Sequence, residues 1–206
     1  MNLPELRIDQ LLEKLASSAP TPGGGSVAGL AAAKAASLLQ MVVGLTKGDT
    51  LQQLIPELKQ SKEEALALAN EDSQAFEKVM RAYRLAKNTD EEIKERRGQI
   101  QSALKAATII PLQTMRVGLK LLKIATPVVE QGNPNAISDV GVAGLLAYSA
   151  IKGGYYNVLI NLQSIKDQSM VDSTEQEATQ IFHQADHLAG KIEKRIINEL
   201  TGNKID

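Results

Sequence analysis

The chain has 206 residues, 23 basic against 24 acidic side chains, a net charge of −1 and no cysteine. That length suits one domain with a sizeable core, or one protomer of an assembly. Interleaved charge of both signs gives no basic field for nucleic acid. The lack of cysteine excludes disulfides, zinc–thiolate sites and thiol catalysis. Aromatic residues make up only 3%, so packing falls to Ala, Leu, Ile and Val, which let helices approach closely.

In chain order, Met1-Asn2-Leu3-Pro4-Glu5 has neither a basic nor an apolar leader segment, so a cytoplasmic, unsecreted protein is expected. Ile8, Leu11, Leu12 and Leu15 repeat at helical spacing and predict a short amphipathic helix. Residues 20–26, Pro-Thr-Pro-Gly-Gly-Gly-Ser, stop it and lead into a second helix over about 26–45, with a basic turn and Gly48 beyond. This helix is apolar on nearly every side. Lys34, Ser37 and Gln40 are costly in lipid, so the expectation is the buried, Ala-rich centre of a bundle and no membrane contact.

A third helix is expected over about 51–83, with a stripe of Ala65, Leu68, Asp72, Ala75, Phe76, Val79 and Tyr83. Thr89 reads as the N-cap of a fourth, over about 90–123, which Pro111 should kink. Residues 130–135 form a loop, and two further helices are expected over about 138–164 and 173–200. No β alternation, repeat or linker interrupts the pattern. The fold class is all-α, a single domain over residues 1–206 built as a bundle of about six long helices.

Several residues carry candidate chemistry. Gly23, Gly24, Gly25 and Ser26 open a helix N-terminus, where unpaired N–H groups and the dipole favour an anion. The ordinary alternative is a turn with Ser26 as cap. Gly-x-Gly-x-x-Ala also matches a dinucleotide fingerprint, but residues 17–22 cannot supply the strand it needs. Asp72 lies on an apolar stripe, where burial raises its pKa and suits general acid–base work; a buried ion pair is the competing explanation. Asn157 and Asn161, one turn apart beside Gly153 and Gly154, could read a polar heterocycle or simply bond between helices. Asp139 sits at a helix start, where the dipole alone favours an acid. Arg81, Arg84 and Lys87, with Arg96 and Arg97 further on, form a basic edge suited to a carboxylate or to solvent. His183 and His187 have metal-ligand spacing but no third ligand, and no metal is expected.

Taken in order, the blocks 20–28, 71–76, 84–92 with Arg96-Arg97, Gly132-Asn133 with Ser138-Asp139, and 156–162 resemble the cyclodeaminase domain of formiminotransferase-cyclodeaminase. Stand-alone methenyltetrahydrofolate cyclohydrolases of the serine-cycle type share that domain. The resemblance runs from about Ile8 to Asp167, and the 84–92 block is more similar to the cyclodeaminase side. It implies an all-helical homodimer acting on a reduced folate, polyglutamylated or not, with no cofactor beyond that substrate and without the fused formiminotransferase domain. Cyclodeaminase closes 5-formiminotetrahydrofolate to 5,10-methenyltetrahydrofolate and releases ammonia; the cyclohydrolase opens the methenyl compound to 10-formyltetrahydrofolate. Asp72 matches the family's catalytic aspartate. The glycine turn, with Arg84 or Lys87, is then expected to hold the glutamate tail, and Asp139, Asn157 and Asn161 to contact the pterin or shape the pocket. A non-catalytic folate-binding or scaffold bundle is the alternative from another class.

Overall fold

A computed structural model describes residues 2–202, and among them it contains six α-helices and no strand. They are α1 (Ile8–Ala16), α2 (Gly24–Leu45), α3 (Ile55–Tyr83), α4 (Asp90–Gln131), α5 (Ile137–Leu162) and α6 (Gln168–Thr201). Short 3-10 turns precede α1, α3 and α5. Helices α2, α3, α4 and α5 form a ring in that order, α2 packing on α3 and α5, and α4 on the same two. Helix α6 lies over α4 and α5, while α1 has no extensive contact with any element.

The core is made largely of small and branched side chains. Ala32, Ala35, Ala36, Leu39, Val42 and Val43 of α2 are fully enclosed, as are Met115, Leu121 and Leu122 of α4. Helix α2 is long and apolar enough to cross a membrane, yet one side of it is buried inside the bundle. Small residues allow this. Gly29 packs so tightly on α3 that a Cβ would stand 2.8 Å from the Ala69 backbone nitrogen.

Where the helix boundaries differ from expectation, local chemistry explains them. Helix α2 begins at Gly24, two residues earlier than Ser26, so the glycine turn is its first turn. At its other end α2 stops at Leu45 as expected, Thr46 bonding back to the Val42 carbonyl at 2.8 Å before Lys47. Pro56, lacking an N–H, fits the first turn of α3 and starts it at Ile55 instead of near Leu51. The Asp167 side chain accepts from Met170 N at 3.3 Å, starting α6 five residues before Ser173. Thr89 caps α4 as expected, with Glu92 N donating to its hydroxyl at 3.2 Å.

Pro111 does not end α4, which continues through it and through Pro127 to Gln131. A proline leaves the carbonyl four residues earlier without its N–H partner. Here that carbonyl belongs to Ala107, and the Asn161 amide of α5 donates to it at 3.3 Å. The neighbouring helix therefore repairs the gap.

Candidate active site

Helix α3 is longer than α2, and its last turns run past the α2 N-terminus. The stripe that buries Ala65 and Leu68 thus loses its cover, leaving Phe76 and Tyr83 partly exposed. They wall a cleft of about 380 Å³ with Pro20 and Gly23–Gly25 at one end, and Asn157, Ile160 and Asn161 of α5 opposite. That volume falls in the range of small-molecule sites.

Asp72 lines the cleft beside the first turn of α2. The Ser26 hydroxyl donates to its Oδ2 at 2.9 Å and lies 3.0 Å from the Ser73 hydroxyl. Ser26 N–H reaches the same carboxylate. Asp72 therefore caps α2 from another helix, and Ser26 is neither the cap nor free for a substrate: it is completely buried. Gly25 faces the carboxylate so closely that any Cβ there would overlap it. Burial pushes the Asp72 carboxyl above 3.8, and the two bonds from Ser26 only partly oppose this. No lysine or arginine pairs with it among the described residues. The anion at the glycine turn is the protein's own, although Gly23 and Gly24 still face the cleft.

Asn157 and Asn161 both line the cleft, but their NH₂ groups are already engaged. Asn157 donates to Gly153 O at 2.8 Å, and Asn161 serves Ala107. Their carbonyl oxygens have no hydrogen-bond donor among the described residues. Arg84 lines a groove, with Arg81, that shares Pro20, Thr21, Phe76 and Met80 with the cleft. A second groove, with Arg97 and Lys166, joins the cleft at Tyr83 and Ser164. Arg96 instead caps the end of α3, donating to Tyr83 O at 3.0 Å.

Two expected residues lie away from both the cleft and its grooves. Lys87 lies in the exposed turn between α3 and α4, outside the cleft and both grooves. Asp139 is in the first turn of α5, about 27 Å along the helix from Asn157 at 1.5 Å per residue. Its acid favours the helix dipole there. His183 and His187 are exposed on α6, and no group of three or more metal-binding side chains occurs among the described residues. Ser73, Met80 and Ile160 belong to the site without having been singled out. Ser73 was visible only as a hydroxyl beside Asp72, Met80 follows from the overhang of α3, and Ile160 stands between Asn157 and Asn161 on α5.

A helical bundle that holds a buried carboxyl group against a glycine-opened helix start, beside a small-molecule cleft, defines a class of helical enzymes. Residues 7–180 match the family model described as formiminotransferase-cyclodeaminase, and the chain belongs to that family. It is 38% identical over 193 residues to the methenyltetrahydrofolate cyclohydrolase of Methylorubrum extorquens, covering 90% of this chain and 93% of that one. It is 33% identical over 172 residues to the formimidoyltransferase-cyclodeaminase of Gallus gallus, spanning 80% of this chain but only 32% of that protein. The crystal structure of formiminotetrahydrofolate cyclodeaminase from Thermotoga maritima superposes with a TM-score of 0.84 at 28% identity, over 96% of this chain and 99% of that one.

Proposed function

We propose that this chain is a folate-dependent cyclodeaminase that closes 5-formiminotetrahydrofolate to 5,10-methenyltetrahydrofolate and releases ammonia. The observation that carries the reading is Asp72: a carboxyl group raised by burial, held by Ser26, and open to a cleft of ligand size. The solved cyclodeaminase that superposes on almost the whole chain supports it. In the reaction N10 attacks the formimino carbon, forming the N10–C bond, and the C–N bond to the amino group then breaks. Protonated Asp72 donates to the formimino nitrogen, making the carbon electrophilic. As carboxylate it takes the N10 proton and passes it to the amino group, which leaves as neutral ammonia; the methenyl cation remains and Asp72 is reprotonated from solvent. The reaction needs no cofactor beyond the folate. Arg81 and Arg84, or Arg97 and Lys166, attract the carboxylates of one or several glutamates, and the carbonyl oxygens of Asn157 and Asn161 accept from pterin N–H groups.

A second reading is the methenyltetrahydrofolate cyclohydrolase reaction, favoured by the 38% identity to an enzyme of that name over nearly its whole length. There water adds to the same carbon and gives one proton through Asp72 to N5, the N5–C bond breaks, and the second water proton leaves to solvent as the formyl C=O forms. Both readings suit a cytoplasmic enzyme. Purified protein is to be given each folate separately. Ammonia release with rising methenyl absorbance supports the first reading; loss of methenyl absorbance in water supports the second. Asp72→Asn should lower kcat by about 10²–10⁴ in either reaction while preserving helicity. A near-normal rate for this variant would remove Asp72 from the chemistry.

A further inference from the structure

A hydroxyl within a helix commonly bonds back to the carbonyl four residues earlier. Ser37, Thr108, Thr114 and Thr126 all do so, at 2.8–3.2 Å. Ser26 and Ser73 do not. Ser73 turns from α3 toward α2 and meets the Ser26 hydroxyl at 3.0 Å. Ser26 in turn reaches Asp72 Oδ2 at 2.9 Å. Both serines are buried, and Ser73 has no place in the cleft wall.

The direction of these bonds follows from counting protons. Each serine has one O–H and accepts through its lone pairs. Ser26 is the only hydrogen-bond partner of the Ser73 hydroxyl among the described residues, so the Ser73 proton has one destination, the Ser26 oxygen. The Ser26 proton then goes to Asp72 Oδ2. The reverse order would leave a buried O–H on Ser73 without an acceptor, which is costly. The chain therefore runs one way, from Ser73 through Ser26 to Asp72, and ends blind at Ser73. It cannot carry a proton away, but it decides where one sits. Oδ2 already receives a hydroxyl proton, whereas no side chain among the described residues donates to Oδ1. Oδ1 is also the oxygen nearer the space that a Gly25 Cβ would fill, and Gly25 and Asp72 together line the cleft.

We propose that Ser73 is a positioning residue that acts through Ser26: it holds the acid proton of Asp72 on Oδ1, toward the cleft, and keeps it off Oδ2. The proposal rests on the reading of Asp72 as the proton shuttle. A proton on Oδ2 points at the interior, where no substrate nitrogen can reach it. The same polarity serves the return step, because linked hydroxyls strengthen each other's bonds to the carboxylate left behind. Without Ser73, the Ser26 oxygen loses its donor, and the Ser26 proton is free to turn to a carbonyl of its own helix. Oδ2 can then carry the acid proton and donate to Ser26. The neutral acid gains a second, unproductive state and the carboxylate loses support, so both changes make Asp72 bind its proton more tightly. No charge competes with this effect. Only burial and Ser26 act on the carboxyl group. Tyr83, about 16 Å further along α3 at 1.5 Å per residue, is the one other titratable group in the cleft wall among the described residues, and α2, α4 and α5 present uncharged side chains there.

The test follows Asp72 directly by carboxyl-carbon NMR of the full chain labelled at aspartate, its signal being the one lost in Asp72→Asn. Ser73→Ala should raise the Asp72 midpoint by about 0.5 in pH or more with helicity unchanged. It should lower kcat about tenfold, the population change that one hydrogen bond supports, with KM nearly constant. The limb of the kcat–pH profile that Asp72→Asn abolishes should move up by the same amount. Ser73→Thr keeps the hydroxyl and should hold midpoint and kcat near wild type. Ser73→Cys, a weak donor of similar size, should show the same rise in smaller measure, which keeps the test open if Ser73→Ala misfolds. Ser26→Ala should raise the midpoint by itself, and adding Ser73→Ala to it should change nothing further, because Ser73 acts only through Ser26. An unmoved midpoint in Ser73→Ala overturns the proposal, as do additive effects of the two serines, which would give Ser73 a merely structural role. The titration is independent of the folate reading: if the midpoint moves while Asp72→Asn turns over normally, the relay stands and that reading falls.

Discussion

Asp72 occupies a position where two demands conflict. Packing against Gly25 and the start of α2 removes water from its carboxyl group, while Ser26 stabilises its charge through two bonds. Burial prevails, so folding binds this proton more tightly than the unfolded chain does. Ionising Asp72 therefore opposes folding: the cost is absent below the unfolded pKa near 3.8, grows as pH rises, and is complete above the raised folded pKa. Asp72→Asn removes the cost and keeps an acceptor for Ser26, so its Tm should exceed that of wild type at pH 7. Thermal unfolding followed across pH should show the gap narrowing toward pH 4; a gap independent of pH contradicts this account. Gly25→Ala tests the close contact from the other side. Its Cβ must displace the carboxylate, and a shift of that kind should lower kcat about 10²-fold. Gly29→Ala, crowding the Ala69 backbone, should cost about 1–3 kcal/mol of stability with little change in kcat per folded molecule. The stripe spacing revealed that Asp72 faces inward. It could not reveal that Ser26, 46 residues away, would be its partner, since that depends on how α2 and α3 align.

At the level of elements, the sequence showed the number and type of the long helices because their apolar periodicity is strong and their loops are short. Boundaries were missed where side chains act on the backbone, as at Pro56 and Asp167. Pro111 is the instructive case. A proline inside a helix reads as a kink because one carbonyl loses its donor, but Asn161 on α5 supplies the replacement. The prediction follows from that substitution of donors. Asn161→Ala leaves the Ala107 carbonyl unpaired beside the cleft and should cost about 1–3 kcal/mol. Pro111→Ala restores the N–H within α4, so Asn161→Ala should cost much less in that background. Denaturant unfolding of the four proteins measures the coupling, and additive costs would show that Asn161 acts elsewhere. Asn161 thus met its ordinary explanation, a bond between helices, while its carbonyl oxygen still faces the cleft.

At the scale of the whole molecule, a net charge of −1 conceals an uneven distribution. Lys78, Arg81, Arg84, Arg97 and Lys166 line grooves that open beside or into the Asp72 cleft, against Glu77 and Glu95 in the same grooves. Composition could not show this, because the cations come from α3 and the turn after it, from α4, and from the turn before α6, which only the fold brings to one end. Lys87 illustrates the limit: it is close to Arg84 in sequence yet stands outside the grooves. A surplus of exposed cations at a cleft mouth raises the local concentration of an anionic substrate, and salt screens it over about 8–10 Å. For a folate bearing its glutamate carboxylates, KM should therefore rise several-fold between about 50 and 500 mM salt, with kcat nearly constant. Arg84→Gln should raise KM at low salt and flatten that dependence, and a pterin substrate lacking the glutamate tail should show little dependence at all. Initial rates over that salt range distinguish the outcomes. Equal salt effects on tailed and tailless substrates would mean that the grooves do not hold the carboxylates, and would leave Asp72 and its cleft as the only part of the site that engages the ligand.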